Sequence, residues 1–246
     1  MIYFYDGSRD AFLTAFAKAF RDEEAVLAST QRQLTLGQRT AFIAAEPAFA
    51  ARIADRLASF DQKCLHDLDV LLRSGQPERD MIAFRYMKLI ATEKRPVRDK
   101  LAEDAVLAAD ECIRRVNTEI HRLHGYLRFT ESASGALYAP CAPDNDICEL
   151  LAPHFRARLA RFPFVIHDVK RKKAVVYDCV NTFLAPLERA EVVLSADETG
   201  WQKLWKTYFS SVNIPSRERL KQQRGYLPVR YRKFMSEFET DRNDPL

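Results

Sequence analysis

Glycine is scarce, seven residues in 246, and the glycine patterns that hold phosphate or expose a nucleophile are missing. The chain contains no GxGxxG, no GxxxxGKS/T and no GxSxG, which removes the strongest sequence signatures of nucleotide binding and acyl transfer. It also lacks a CxxC pair and any closely spaced cysteine triplet, so neither a zinc knuckle nor an iron–sulfur cluster is signalled and no cofactor is expected. The five cysteines, Cys64, Cys112, Cys141, Cys148 and Cys179, are odd in number and scattered. A chain of this length buries a core without staples, so reduced thiols and a cytoplasmic setting are expected. No apolar run approaches the roughly 18 residues of a membrane span. The opening Met1–Gly7 has no charged leader and no small-residue cleavage site, so a signal peptide is not expected.

Charge is present but unevenly placed. Residues 201–234 hold nine basic residues and one acid, Glu218, for a net +8, while the whole chain is only +4. The rest of the molecule is therefore mildly acidic, and one face is set up to meet a polyanion. A solvated surface helix is the plainer reading of such a run.

Periodicity predicts an α+β protein. Ile2–Tyr5 alternates as a short strand, Asp6-Gly7 turns the chain, and Ser8 can cap a helix carrying Phe12, Phe16 and Phe20 on one stripe. Val26–Leu36 reads as a short strand or extended segment. From Pro47 to about 124 the spacing is helical, interrupted at Ser74–Pro77 and before Pro96, and predicts a helical bundle. The period then changes. Tyr126–Glu131 and Ala136–Ala139 read as a hairpin, Asp146–Ala160 as a helix, Phe164–Val169 and Ala174–Tyr177 as a second hairpin, and Leu187–Leu194 as a further strand. Hairpin-joined strands imply an antiparallel sheet packed with the bundle. Ser195-Ala-Asp-Glu198 has capping-box spacing before a stripe of Trp201, Leu204, Trp205, Tyr208 and Val212. Pro228 suits a first helical position, with Tyr231, Phe234, Met235 and Phe238 facing inward, and Thr240–Leu246 frayed. No linker or repeat divides the chain, so residues 1–246 read as one domain: helical over about 40–124, sheet over about 125–195, basic helices over about 196–240.

Several constellations could carry chemistry. His121 and His124 share a helix face and could meet a metal if His154 or His167 joined them. Cys141 and Cys148, seven apart, could be ligands, although buried structural thiols explain them as well. Asp144 and Asp146 flank Asn145 ahead of a helix, where capping is the default role. An enzymatic pocket would collect His154, Arg158, His167, Asp168 and Glu131, yet His167 and Asp168 are strand neighbours that point to opposite faces. The basic elements combine better. Lys170, Arg171, Lys172 and Lys173 crowd a hairpin tip. Arg217, Arg219, Lys221, Arg224, Arg230, Arg232 and Lys233 follow later, with Tyr226 and Tyr231 among them. Phosphates are met by charge and fork-shaped donors, and unpaired bases by flat rings. Core packing is the simpler role for Tyr231, which leaves Tyr226 as the stacking candidate.

A set of these segments resembles a bacterial family of DNA metabolism or DNA repair proteins. It runs from Tyr3-Phe4-Tyr5-Asp6-Gly7-Ser8 through Gly125–Glu131, Ala142–Asp144, His154–Arg158 and Ile166–Arg171. It continues through Trp201–Phe209 and Ile214–Arg217 to Leu227–Tyr231, spanning essentially the whole chain. The resemblance implies association with a uracil-DNA-glycosylase-like module, to which such domains are fused, or with a radical-SAM DNA repair protein that accompanies them. It supplies no catalytic residues. The expectation is a DNA-binding accessory protein acting with a partner enzyme. An enzyme acting directly on DNA through the His/Asp/Arg set, or a scaffold whose basic face meets an acidic protein, are the alternatives.

Overall fold

The computed structural model describes residues 1–29, 38–217 and 219–238. The chain divides into two compact units, Met1–Thr118 and Glu119–Leu246, and the division falls inside a single helix.

The first unit begins with β1 (Ile2–Phe4), α1 (Arg9–Ala19), β2 (Val26–Ala28) and β3 (Thr40–Phe42). The Ser8 side chain accepts from the Ala11 amide at 3.2 Å and starts α1. Phe12 and Phe16 from α1 are buried, and Phe16 meets Phe84 edge-on. Strand order is β2-β1-β3 and both pairings are parallel; α1 is the crossover that brings β2 alongside β1 in the same direction. This parallel sheet is absent from the sequence reading: three-residue strands are too short for alternation to register, and Thr40–Phe42 falls where helix was expected. Of the Val26–Leu36 segment, Val26–Ala28 is strand; residues 30–36 lie outside the described residues, as do 240–246.

Four helices follow: α2 (Pro47–Phe60), α3 (Cys64–Leu72), α4 (Arg79–Glu93) and the long α5 (Asp104–Tyr126). The breaks at 73–78 and after Glu93 fall at the predicted places, whereas the break between α2 and α3 at 61–63 is not signalled by the spacing. Two buried carboxylates tie this unit together. Asp80 accepts from Tyr5 Oη at 2.7 Å and from the Ser29 amide and hydroxyl at 2.7 and 2.8 Å. Asp67 accepts from Tyr86 Oη and from the Arg98 guanidinium. Burial and these carboxylates push both tyrosine hydroxyls well above the usual phenol range.

The second unit is a five-stranded sheet, β4 (Thr130–Glu131), β5 (Leu137–Cys141), β6 (Phe164–Asp168), β7 (Lys173–Tyr177) and β8 (Thr182–Pro186), in sequential order. It is mixed rather than antiparallel: β5 and β6 pair in parallel, and the other three pairings are antiparallel. The physical reason is α6 (Cys148–Arg158), which occupies the connection and carries the chain back over the sheet as a crossover must. Its buried Leu151 and Phe155 face a core that includes Phe164, Ile166 and Tyr177. The edge strand is Thr182–Pro186, not Leu187–Leu194. A tight turn at Asp178, whose carboxylate accepts from the Val180 and Asn181 amides at 2.9 and 2.6 Å, starts the return strand early. Leu194 makes only an isolated bridge to Ser132. Tyr126 belongs to α5, which leaves only Thr130–Glu131 of the first expected strand.

The C-terminal part contains α7 (Glu198–Ser211), a 3-10 turn (Pro215–Arg217), α8 (Leu220–Tyr226) and α9 (Val229–Arg232). The Ser195–Glu198 capping box does not form. Glu198 turns away instead, accepting from the Glu131 amide at 2.9 Å and from Gln202 at 2.8 Å, and so ties α7 to β4. No helix of the described residues is long and apolar enough to cross a membrane.

Candidate nucleic-acid interface

The stripe on α7 has the period of a core-facing helix, yet it faces outward. Trp201 is 62% exposed, Leu204 59%, Tyr208 56% and Val212 53%. Exposure of so many large apolar side chains on one helix marks an interaction surface. Trp201, Leu204, Trp205 and Tyr208 of the stripe line an open groove of about 1210 Å³ together with Phe129, Tyr138, Arg158 and Phe234. Arg128 stacks over the Trp205 ring at 5.5 Å and donates to the buried Glu237 carboxylate at 2.7 and 3.1 Å. That ion pair fixes the orientation of the Trp205 face. Phe209 near the end of α7 and Asn213 just beyond it join Arg217, Arg219, Leu220 and Tyr226 around a smaller recess of about 410 Å³. One helix thus connects an aromatic groove to a basic recess.

The basic residues of the sequence reading divide into two groups. Arg217, Arg219, Lys221 and Arg224 are exposed and make no ion pair among the described residues, and Tyr226 beside them is 65% exposed. Its carbonyl accepts from Tyr126 Oη at 2.8 Å, which anchors the end of α8 while leaving the ring outside. Lys170 at the hairpin tip is exposed as well; Lys233 is exposed too, but its ammonium lies over the Phe234 ring at 4.8 Å. The others are engaged in the fold. Arg171 donates to the Pro143 and Asp144 carbonyls at 3.0 and 2.6 Å and to the buried Asp168 carboxylate at 2.8 Å. Lys172 pairs with Glu188 on the surface and Lys173 with Asp146. Arg232 is buried, donating to the Leu227 carbonyl and Gln223 and covering the Phe238 ring. Arg230 pairs with Asp144 at 2.9 Å.

Glu119, buried at the second unit's start, organises this region. Its Oε1 accepts from the Asp144 amide at 2.9 Å and from Tyr231 Oη at 2.5 Å; its Oε2 accepts from the Asn145 amide and side chain at 2.9 and 2.6 Å. Arg230 approaches the same carboxylate at 3.7 Å. Burial, then the neighbouring carboxylate, raises the Tyr231 hydroxyl above the ordinary phenol range. Asp144 and Asn145 therefore anchor the α9 segment rather than cap α6.

The residues of the enzymatic alternative do not converge. His167 is buried: its Nε2 donates to the Leu187 carbonyl at 2.9 Å, so Nδ1 meets the Tyr138 hydroxyl at 2.7 Å. Asp168 is fully buried and accepts from the Lys170 and Arg171 amides, closing the hairpin. His154 is exposed on α6, stacked on His124 with centroids 4.1 Å apart and planes 14° apart. Ring nitrogens lie in the ring plane, so stacked rings do not aim them at one ion. No group of three or more metal-ligating side chains occurs among the described residues. Of the five, Glu131 included, Arg158 alone lines the groove. Cys141 and Cys148 are buried, donating to the His167 and Ile166 carbonyls at 3.5 and 3.2 Å. The Cys148 sulfur and burial hold the Cys141 thiol well above its usual range.

Trp201, Trp205, Tyr208 and Arg128 are site residues that sequence reasoning did not select. The available signal was the concentration of both tryptophans of the chain on one helix beside the basic run.

Residues 77–237 match the family described as a domain of unknown function, DUF4130, and this chain belongs to it. No curated protein and no solved structure matches the chain.

Proposed function

We propose that this protein is a DNA-binding accessory protein of a DNA repair or modification pathway, acting in the cytoplasm with a partner enzyme. The observation that carries the reading is the α8 region. Arg217, Arg219, Lys221 and Arg224 are exposed, without ion pairs among the described residues, beside the exposed ring of Tyr226. Guanidinium forks not taken up by internal carboxylates are suited to phosphate oxygens, and the segregation of charge adds long-range attraction. The wider resemblance to DNA repair proteins supports a radical-SAM DNA repair protein or a uracil-DNA-glycosylase-like protein as the partner, which would supply the chemistry. Fluorescence anisotropy of labelled DNA across a salt series tests the reading. Affinity is expected to fall steeply with salt. Arg217→Ala with Arg219→Ala should lower the slope by roughly one for each phosphate no longer neutralised. Absence of binding at low salt, or a double variant indistinguishable from the parent, overturns it.

A further inference from the structure

From the groove along α7 we infer that the nucleic acid bound is single-stranded DNA, with its bases on the α7 rings and its backbone on the α8 arginines. This inference rests on the DNA-binding reading and deepens it.

Three observations carry it. The first is exposure: Trp201 and Tyr208 stand out of the surface although their helix has a core-type stripe, and a flat exposed ring is a platform for any unpaired base. A duplex keeps its base faces stacked internally and offers such rings nothing to cover. The second is order. Trp201, Trp205 and Tyr208 recur at steps of four and three, so they climb one face of α7 toward Phe209, which borders the recess holding Arg217 and Arg219. Ring platforms and phosphate donors thus lie on one continuous track. The third is size and charge. At about 1210 Å³ the groove exceeds the roughly 300–1,000 Å³ that encloses a drug-sized ligand, so it accommodates a chain of nucleotides better than one small molecule. Its lining includes Arg158 and Lys233, whereas Glu198, the only acid there among the described residues, is already accepting from Glu131 and Gln202. An acidic strand carrying flat bases complements both the rings and the charge of that lining, while an apolar protein helix would bring nothing to meet Arg158.

The chain reports on itself, because its only two tryptophans both lie on α7. Tryptophan emission and anisotropy would be followed as the intact protein is titrated with oligothymidine, with oligouridine of equal length, and with a duplex of equal length. Oligothymidine is expected to quench the emission and to bind more tightly than the other two. Trp201→Ala and Tyr208→Ala should each weaken oligothymidine binding by roughly tenfold, with Tyr208→Phe close to the parent because the ring remains. Both side chains are exposed, so folding is not at stake, and an unchanged circular dichroism spectrum would verify that. Aromatic variants that bind like the parent, a duplex bound at least as well, or tighter binding of oligouridine would each overturn this inference. If the Arg217→Ala, Arg219→Ala variant still loses affinity in those cases, the DNA-binding reading stands without it. No binding of any probe removes both.

Discussion

Replacing Glu119 with glutamine changes one oxygen for an amide and tests what positions the C-terminal face. The carboxylate accepts four hydrogen bonds, two at each oxygen: the Asp144 amide and Tyr231 hydroxyl at Oε1, the Asn145 amide and side-chain amide at Oε2. Turned toward the Asn145 side, the glutamine NH₂ faces two donors. Turned the other way it faces the Asp144 amide and the Tyr231 hydroxyl, which can turn to accept. One or two bonds are therefore lost and the rest go to a neutral acceptor. Each bond to the charged acceptor is worth about 1.5–3 kcal/mol. Bonds sharing one residue do not add fully, which places the expected loss at about 3 kcal/mol. Arg230, at 3.7 Å from Glu119, keeps Asp144 as its partner and does not offset that. A loss of this size corresponds to a Tm lower by about 6–12 °C in a chain of this length. Thermal unfolding followed by circular dichroism measures it, and DNA affinity should fall in parallel because Tyr231 ties α9, and with it α8, to the helix bearing Glu119. A Tm within about 2 °C of the parent, on the same scale, would refute the idea that this carboxylate holds the segment. Arg217→Ala with Arg219→Ala is the reciprocal control, expected to lower affinity without moving Tm.

Arg171→Ala should act as a stability variant, costing about 3–5 kcal/mol by leaving the fully buried Asp168 without its guanidinium, whereas Lys170→Ala should leave chemical denaturation midpoints unchanged. Ellman's reagent should find one fast thiol in the native protein, Cys179, and the remaining four only after unfolding; burial, followed by nearby Asp61 and Asp67, pushes Cys64 up to about 11, which slows it further. Burial, with His154 and His121 nearby, lowers the pKa of His124. The unfolded chain therefore takes up this proton first as pH falls below the ordinary histidine value of 6.5. Stability should decline from pH 7 toward about 5, and His154→Gln should flatten that decline. A Tm profile equally steep in the variant would remove the histidine stack as its source.

Local signals survived into the structure where they were long or chemically strict. The phenylalanine stripe of α1 with its Ser8 cap, the breaks from α3 to α4 and from α4 to α5, and the β6–β7 hairpin with its basic tip stand where the spacing put them. The short strands were illegible because three residues carry too little alternation. The direction of β5 against β6 was illegible because pairing is set by where α6 packs, and no residue in either strand states it. The Ser195–Glu198 pattern misled because Glu198 had a competing partner, the Glu131 amide, 67 residues away.

The candidate site divides in the same way. Composition and order along the chain determined that this protein carries a concentrated positive segment with tyrosines among its arginines, since charge and residue type need no folding to be read. Only the tertiary structure decided which of those charges are available. Asp168 and the 143–144 carbonyls take up Arg171, Leu227, Gln223 and the Phe238 ring take up Arg232, and Arg217, Arg219, Lys221 and Arg224 are left facing solvent. Periodicity also shows that α7 has an apolar stripe but is silent on whether anything covers it. Burial is a property of what packs opposite, and opposite Trp201, Trp205 and Tyr208 the fold leaves a groove.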